Sequence, residues 1–156
     1  MADVVDSATR SRMMAGIRAT NTRIEIMVRK ALHAQGFRYR LHPRGVPGKP
    51  DAVFPRFHAV LFVNGCFWHG HDCPMFRVPA TRQEFWASKF ARNRQRDNDV
   101  RQQLRSAGWR VLTVWECALR GRGAIGLASV TARAAAWLRG NEDNKIQKEL
   151  AIRGSS

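Results

Sequence analysis

Residues 57–73 read FHAVLFVNGCFWHGHDC. The first part, Phe57–Val63, is almost wholly apolar and only seven residues long. A run of that length and composition predicts a strand buried on both faces, inside a sheet covered by helices. The second part, Asn64–Cys73, holds two cysteines, two histidines, an aspartate and the adjacent Phe67 and Trp68. A loop rich in chemistry therefore follows directly on a central strand.

Working outward, Trp109–Trp115 (WRVLTVW) is a second buried strand, entered through Gly108. Between the two strands, Thr81-Arg-Gln-Glu84 has the form of a capping box and opens a long helix, basic on its outer side, through about Leu104. Upstream, Thr22-Arg-Ile-Glu25 is a similar box. Ile24, Met27, Val28, Ala31 and Leu32 follow as one apolar helical stripe that ends at Gly36. Phe37–Leu41 alternates apolar and basic residues as a short strand would, and the turn-rich HPRGVPGKP delivers Asp51 at the head of Asp51–Phe54. Ser129–Leu138 reads as the last helix, and Ser7–Ile17 as a short basic one. The expected organisation is an N-terminal arm or helix over 1–20, one domain over 21–140, and a polar, loosely held tail over 141–156. Helices alternating with strands predict a three-layer α/β domain with a central mixed sheet.

The chain has 156 residues, 27 Lys and Arg against 12 acids, and a formal net charge of +15. Only seven of the acids fall between Ser7 and Asn141, so the body is more basic than the total implies. Such a field suits a polyanion, with phosphate contacts and salt-sensitive association; the plainer reading is a soluble basic protein. MADVVDSATRSR lacks the apolar core of a signal peptide, and no run has membrane-spanning length. Three cysteines cannot all pair, so a reducing cytoplasm and a metal are expected before disulfides.

Cys66, His71, Cys73 and Cys117 follow the pattern C-x4-H-x-C with a distant C. Cys66 and Cys117 each come just after a predicted strand, and adjacent strand ends would unite them. Four ligands complete a tetrahedral shell, so the expected ion is structural zinc, without an open position for catalysis. The alternative is three buried thiols and a satisfied histidine. His69 lies out of phase with His71 and is left for other work.

Asp51, at a strand start after a Gly/Pro turn, stands where a nuclease would place a magnesium ligand; alone, it could equally be a turn aspartate. Glu25 has a plain reading as the carboxylate of its capping box. His69 has the side chain best suited to proton exchange near neutral pH. Phe67, Trp68 and Trp86 would each, taken singly, be assigned to the core. Neighbours on one loop cannot easily both turn inward, however, and an apolar wedge in a base stack is the rival use.

In combination, DSATRSRMM, PGKPD, LFVNGCFWHGHDC, VPATRQEFW and GWRVLTVWECALRG resemble the very short patch repair (Vsr) endonucleases, from the start of the chain to about Gly123. The resemblance implies a restriction-endonuclease-like core. It further implies an enzyme that nicks one strand of duplex DNA 5′ to the thymine of a T:G mismatch left by 5-methylcytosine deamination. Magnesium would serve catalysis and zinc would serve structure.

Position by position, the resemblance makes Asp51 the magnesium carboxylate, the Val63 carbonyl a further metal contact, His69 the catalytic histidine and Glu25 an accessory acid. Cys66, His71, Cys73 and Cys117 become the zinc set. Phe67, Trp68 and Trp86 become the wedge, with Met14 probing from the opposite groove. One departure stands out: the family pattern often has Thr-His where this chain has Val63-Asn64. Asn64 cannot carry charge or accept a proton, although its amide can donate to a phosphate oxygen. A monomer is expected, with any protein partner left open. Two rival readings are a zinc-stabilised mismatch-binding module that no longer cuts, and a restriction-type endonuclease with an unmismatched target.

Overall fold

The structure, a computed structural model, describes residues 22–140 and 148–155. The predicted N-terminal helix and Met14 lie outside the described residues. Helix α1 (Arg23–Ala34) begins as its capping box requires: the Glu25 N–H donates to Thr22 Oγ1 at 3.4 Å. Ile24, Val28 and Leu32 form its buried stripe, and Gly36 closes it with φ +94, a conformation that costs glycine little.

Among the described residues the predicted strand over 37–41 is not formed, and Arg40 alone pairs there, as an isolated bridge to Val53. Strand β1 (Ala52–Phe54) is followed by a 3-10 turn at Pro55–Phe57, and left-handed His58 (φ 52) starts the reversal into β2 (Ala59–Asn64). Proline at the first position of that turn shifts the strand two residues later than the apolar run suggested.

Helix α2 (Gln83–Ser106) starts at Arg82, not at Thr81 as the capping-box reading required. Arg82 takes a left-handed φ of 56, and among the described residues no side chain caps the helix. Strand β3 (Arg110–Trp115), a one-turn helix α3 (Glu116–Leu119) and helix α4 (Leu127–Arg139) complete the main body. The expectation of a loose tail is overturned for its described part, where Glu149–Ile152 forms strand β4 and buries Ile152.

The four strands lie in the order β1-β2-β3-β4, antiparallel between β1 and β2 and parallel thereafter. This is the mixed sheet the sequence predicts. Period-two alternation sends Ala52, Phe54, Leu61, Val63, Leu112 and Val114 into one core with α1 and α4. Val53, Val60 and Val111 enter a second core with Leu104 of α2. Helices thus cover both faces, which explains why β2 and β3 read as continuous apolar runs. Truncating a fully buried Leu61 or Leu112 to alanine would cost about 2–5 kcal/mol. No helix among the described residues is long and apolar enough to cross a membrane.

Candidate functional site

Parallel pairing of β2 with β3 brings Asn64 opposite Trp115, so the loop after β2 and helix α3 emerge side by side. Two centres are built there. The first is a cluster that could hold a metal ion. The ligand atoms of Cys66, His71, Cys73 and Cys117 all lie within 4.8 Å of one another. Cys117 Sγ is 3.7 Å from His71 Nδ1, close to the separation of two ligands about one tetrahedral edge apart around zinc.

The supports fit the same ion. The Cys117 N–H donates to Cys66 Sγ and the Gly154 N–H to Cys117 Sγ, each at 3.3 Å, as bonds to thiolate sulfur would. Burial pushes the Cys66 thiol well above its ordinary range, a cost that bonding to a cation reverses. Burial, then the Arg153 charge, lowers the pKa of His71, which favours the neutral imidazole that a metal binds. The His71 ring is fixed by stacking on Trp115, with centroids 3.9 Å apart.

The second centre is an open cleft of about 1150 Å³, lined among others by Glu25, Asp51, Val63, Asn64, Phe67, Trp68 and His69. Residues predicted from three separate stretches therefore share one surface. Asp51, at the entrance to β1, has Oδ2 within 2.5 Å of the donating Val63 N–H. Val63 thus meets the carboxylate through its amide. Glu25, on the first turn of α1, is 4% exposed and pairs with Arg29 at 3.7 Å, while Arg29 also donates to the Asp51 carbonyl.

Burial raises the Asp51 pKa to about 7, offset in part by the Val63 amide and reinforced by the Glu25 carboxylate beside it. Two carboxyls crowded together in a partly dry site hold a proton where a divalent cation would relieve both, so the residues present fit such an ion. Arg23, Lys49, Arg96, Arg101 and Arg120 also line the cleft and make it attractive to an anion.

Helix α2 holds the loop after β2 with one face. Asn93 Nδ2 donates to the Trp68 carbonyl at 2.7 Å and Arg94 Nη1 to the Gly70 carbonyl at 3.2 Å. Asp97 Oδ2 lies 2.5 Å from His69 Nδ1. An ionised carboxylate only accepts, so Nδ1 carries the hydrogen, and Nε2 is the nitrogen able to exchange a proton.

Sequence reasoning missed Asp97, although it lines the same cleft. Its only signal was helical spacing: Phe90, Asn93, Arg94 and Asp97 fall on one face, one apolar turn before three polar contacts. Glu116 was missed as well. It follows β3, accepts from the Cys66 N–H at 3.3 Å, and so links the metal centre to the cleft wall.

The three predicted aromatics do come together. Phe67 packs at 5.1 Å from Trp68 and 5.5 Å from Trp86, and Trp68 is 6.2 Å from Trp86. Phe67 and Trp68 line the cleft, whereas Trp86 backs them from α2 together with buried Phe90. Lys89 lies over both the Trp68 and Trp86 rings, at 5.4 and 5.7 Å. Packed ring edges beneath, half-buried faces above and a cation alongside make a platform that a nucleobase could stack upon.

Comparison with known proteins agrees. The family model described as DNA mismatch endonuclease Vsr matches residues 2–75. The DNA mismatch endonuclease Vsr of Escherichia coli (strain K12) is 46% identical over 140 residues, covering 90% of each chain. Type II nicking enzyme V.XorIIP of Xanthomonas oryzae pv. oryzae is 45% identical over 125 residues, which is 80% of this chain and 92% of that one. Type II nicking enzyme V.NmeAIP of Neisseria meningitidis is 38% identical over 122 residues, 78% of this chain and 87% of its own.

Proposed function

The chain belongs to the Vsr family of DNA mismatch endonucleases and hydrolyses phosphodiester bonds in DNA, and on that premise we propose that it nicks one strand 5′ to the thymine of a T:G mismatch, using magnesium, within a restriction-endonuclease-like fold. The observation that carries the proposal is the shared cleft: Asp51, Glu25 and His69 line it beside Phe67 and Trp68. Hydrolysis of a phosphodiester and recognition of a distorted base step need those two kinds of chemistry next to each other.

Asp51 would hold the magnesium, with the Val63 carbonyl as a further contact and Glu25 beside it as the accessory acid; when bound, the ion supplies charge for the phosphate oxygens and acidifies a water. The remaining roles belong to the protein's own side chains. His69, oriented by Asp97, takes the proton of the attacking water at Nε2. Asn64, buried at the end of β2, offers its amide to a phosphate oxygen. The arginines and Lys49 around the cleft neutralise the DNA backbone.

Phe67 and Trp68 enter the base stack, with Trp86 behind them, and Met14 approaches from the other groove. A T:G pair resists unstacking less than a matched pair, so the wedge discriminates by the energy of distortion. Zinc in the tetrad of Cys66, His71, Cys73 and Cys117 is structural: the four protein ligands fill its shell, and it pins the loop that carries Phe67, Trp68 and His69. Single-turnover nicking of a labelled T:G duplex tests the assignment. Asp51→Ala should abolish the product and His69→Ala should reduce it strongly, and full activity of the Asp51 variant would remove the metal role.

A further inference from the structure

The described part of the C-terminal segment touches both centres, although its sequence is short and polar. Glu149 Oε1 and Oε2 form ion pairs with Arg101 Nε and Arg105 Nη1 of α2, each at 3.4 Å, and Arg101 lines the cleft. Residues 149–152 then run parallel to β3, with Ile152 fully buried opposite Val114. Next, the exposed Arg153 donates through Nη2 to the Asp72 carbonyl at 2.6 Å, inside the ligand loop and between His71 and Cys73. Gly154 is buried and donates its N–H to Cys117 Sγ at 3.3 Å. Ser155 closes the run by donating to the Gly123 carbonyl at 2.8 Å through its N–H.

The approach is close by design of the sequence. A Cβ on Gly154 would overlap the carbonyl oxygens of Cys117 and Gly123, and one on Gly123 would overlap the Ser155 carbonyl. Two glycines therefore permit backbone to reach ligand sulfur. We propose that residues 153–155 are a clasp on the metal centre, which holds the Cys117 thiolate and the 66–73 loop against β3 and sets how slowly the ion is released. This rests on the reading that the tetrad holds zinc. The physical cause is twofold. A backbone N–H aimed at a thiolate stabilises its charge and fixes its direction. The Arg153 bond ties the ligand loop to the strand beside Cys117, so opening the shell requires breaking contacts at both ends.

The test is zinc transfer from the full-length holoprotein to an excess of chromophoric chelator. It is compared with Arg153→Ala and with a chain ended after Ile152, and folding is checked by circular dichroism. Release should quicken about tenfold or more in the shortened chain and several-fold in Arg153→Ala. In the cobalt-substituted proteins the sulfur-to-metal charge-transfer band should shift in the shortened chain, where the Gly154 bond is gone. Faster release from the shortened chain alone assigns the clasp to that backbone bond. Unchanged release and an unchanged band in both variants overturn the proposal while leaving the zinc reading intact. If the shortened chain does not fold, Arg153→Ala decides alone, because its side chain is exposed and lies outside the core. Wild-type protein that carries no zinc overturns the metal reading, and the clasp with it.

Discussion

Asp97 Oδ2 sits 2.5 Å from His69 Nδ1, joining the middle of helix α2 to the loop that leaves β2. The two residues are 28 positions apart in sequence, and their contact decides which imidazole nitrogen is available. An aspartate that orients a proton-transferring histidine is worth about 10²-fold or more in general acid–base catalysis. Asp97→Asn should therefore lower the single-turnover nicking rate by roughly that factor, with T:G duplex affinity unchanged. A parallel loss of affinity would instead assign Asp97 to holding the loop alone.

Asp51 links pH to both stability and metal uptake. Its pKa is raised from 3.8 to about 7 in the fold, so the folded state binds a proton more tightly than the unfolded chain does. Without metal, this stabilisation is present below pH 4 and is lost as pH rises through 7, at about 1.4 kcal/mol per unit. Metal-free Asp51→Asn should accordingly be more stable than wild type at pH 8, with the difference vanishing near pH 4. Chemical denaturation at the two pH values measures this. Because a cation competes with that proton, raising magnesium tenfold should move the acid limb of the nicking profile downward by up to about one unit.

The wedge should separate selectivity from affinity. Trp68 lines the cleft and rests on Phe67 and Trp86. Trp68→Ala should lose tenfold or more of the preference for T:G over matched duplex, the scale of one unstacking step, with a smaller change in general affinity. Equal losses on both duplexes, read by fluorescence anisotropy, would mean the ring only packs.

Asn64 departs from the family pattern at a buried position that lines the cleft. Asn64→His restores a side chain able to carry charge beside a phosphate, and should raise the nicking rate by roughly tenfold. An unchanged rate would show that the amide already suffices.

Zinc content gives an independent check. Elemental analysis should find about one equivalent, and Cys117→Ser should lose it along with the order of the 66–73 loop, because the thiolate of Cys117 accepts from Gly154 and faces His71. Metal-free protein prepared without chelator would contradict the assignment.

Much of this was legible in the residues, and the gaps have physical causes. Two apolar runs located β2 and β3, because strands buried on both faces need no alternation. Spacing of Cys66, His71, Cys73 and Cys117 located the cluster that could hold a metal, because a four-ligand shell leaves a compact trace in sequence. Asp97 left no such trace: it is one acid on a long charged helix, and only the packing of α2 against the loop gives it His69 as a partner. The β4 strand was hidden for a similar reason. Glu-Leu-Ala-Ile has little strand character alone and is ordered by the open edge of β3. At Thr81, capping chemistry was present but the left-handed Arg82 starts the helix one residue later.

Strand-resolved nicking of a duplex with one T:G mismatch, beside the same duplex with T:A, tests the central claim most directly. With magnesium, the account predicts one nick 5′ to the mismatched thymine, ending in 3′-hydroxyl and 5′-phosphate, and little cleavage of the T:A control. Equal cutting of both duplexes, or cutting that persists without any divalent cation, would contradict it.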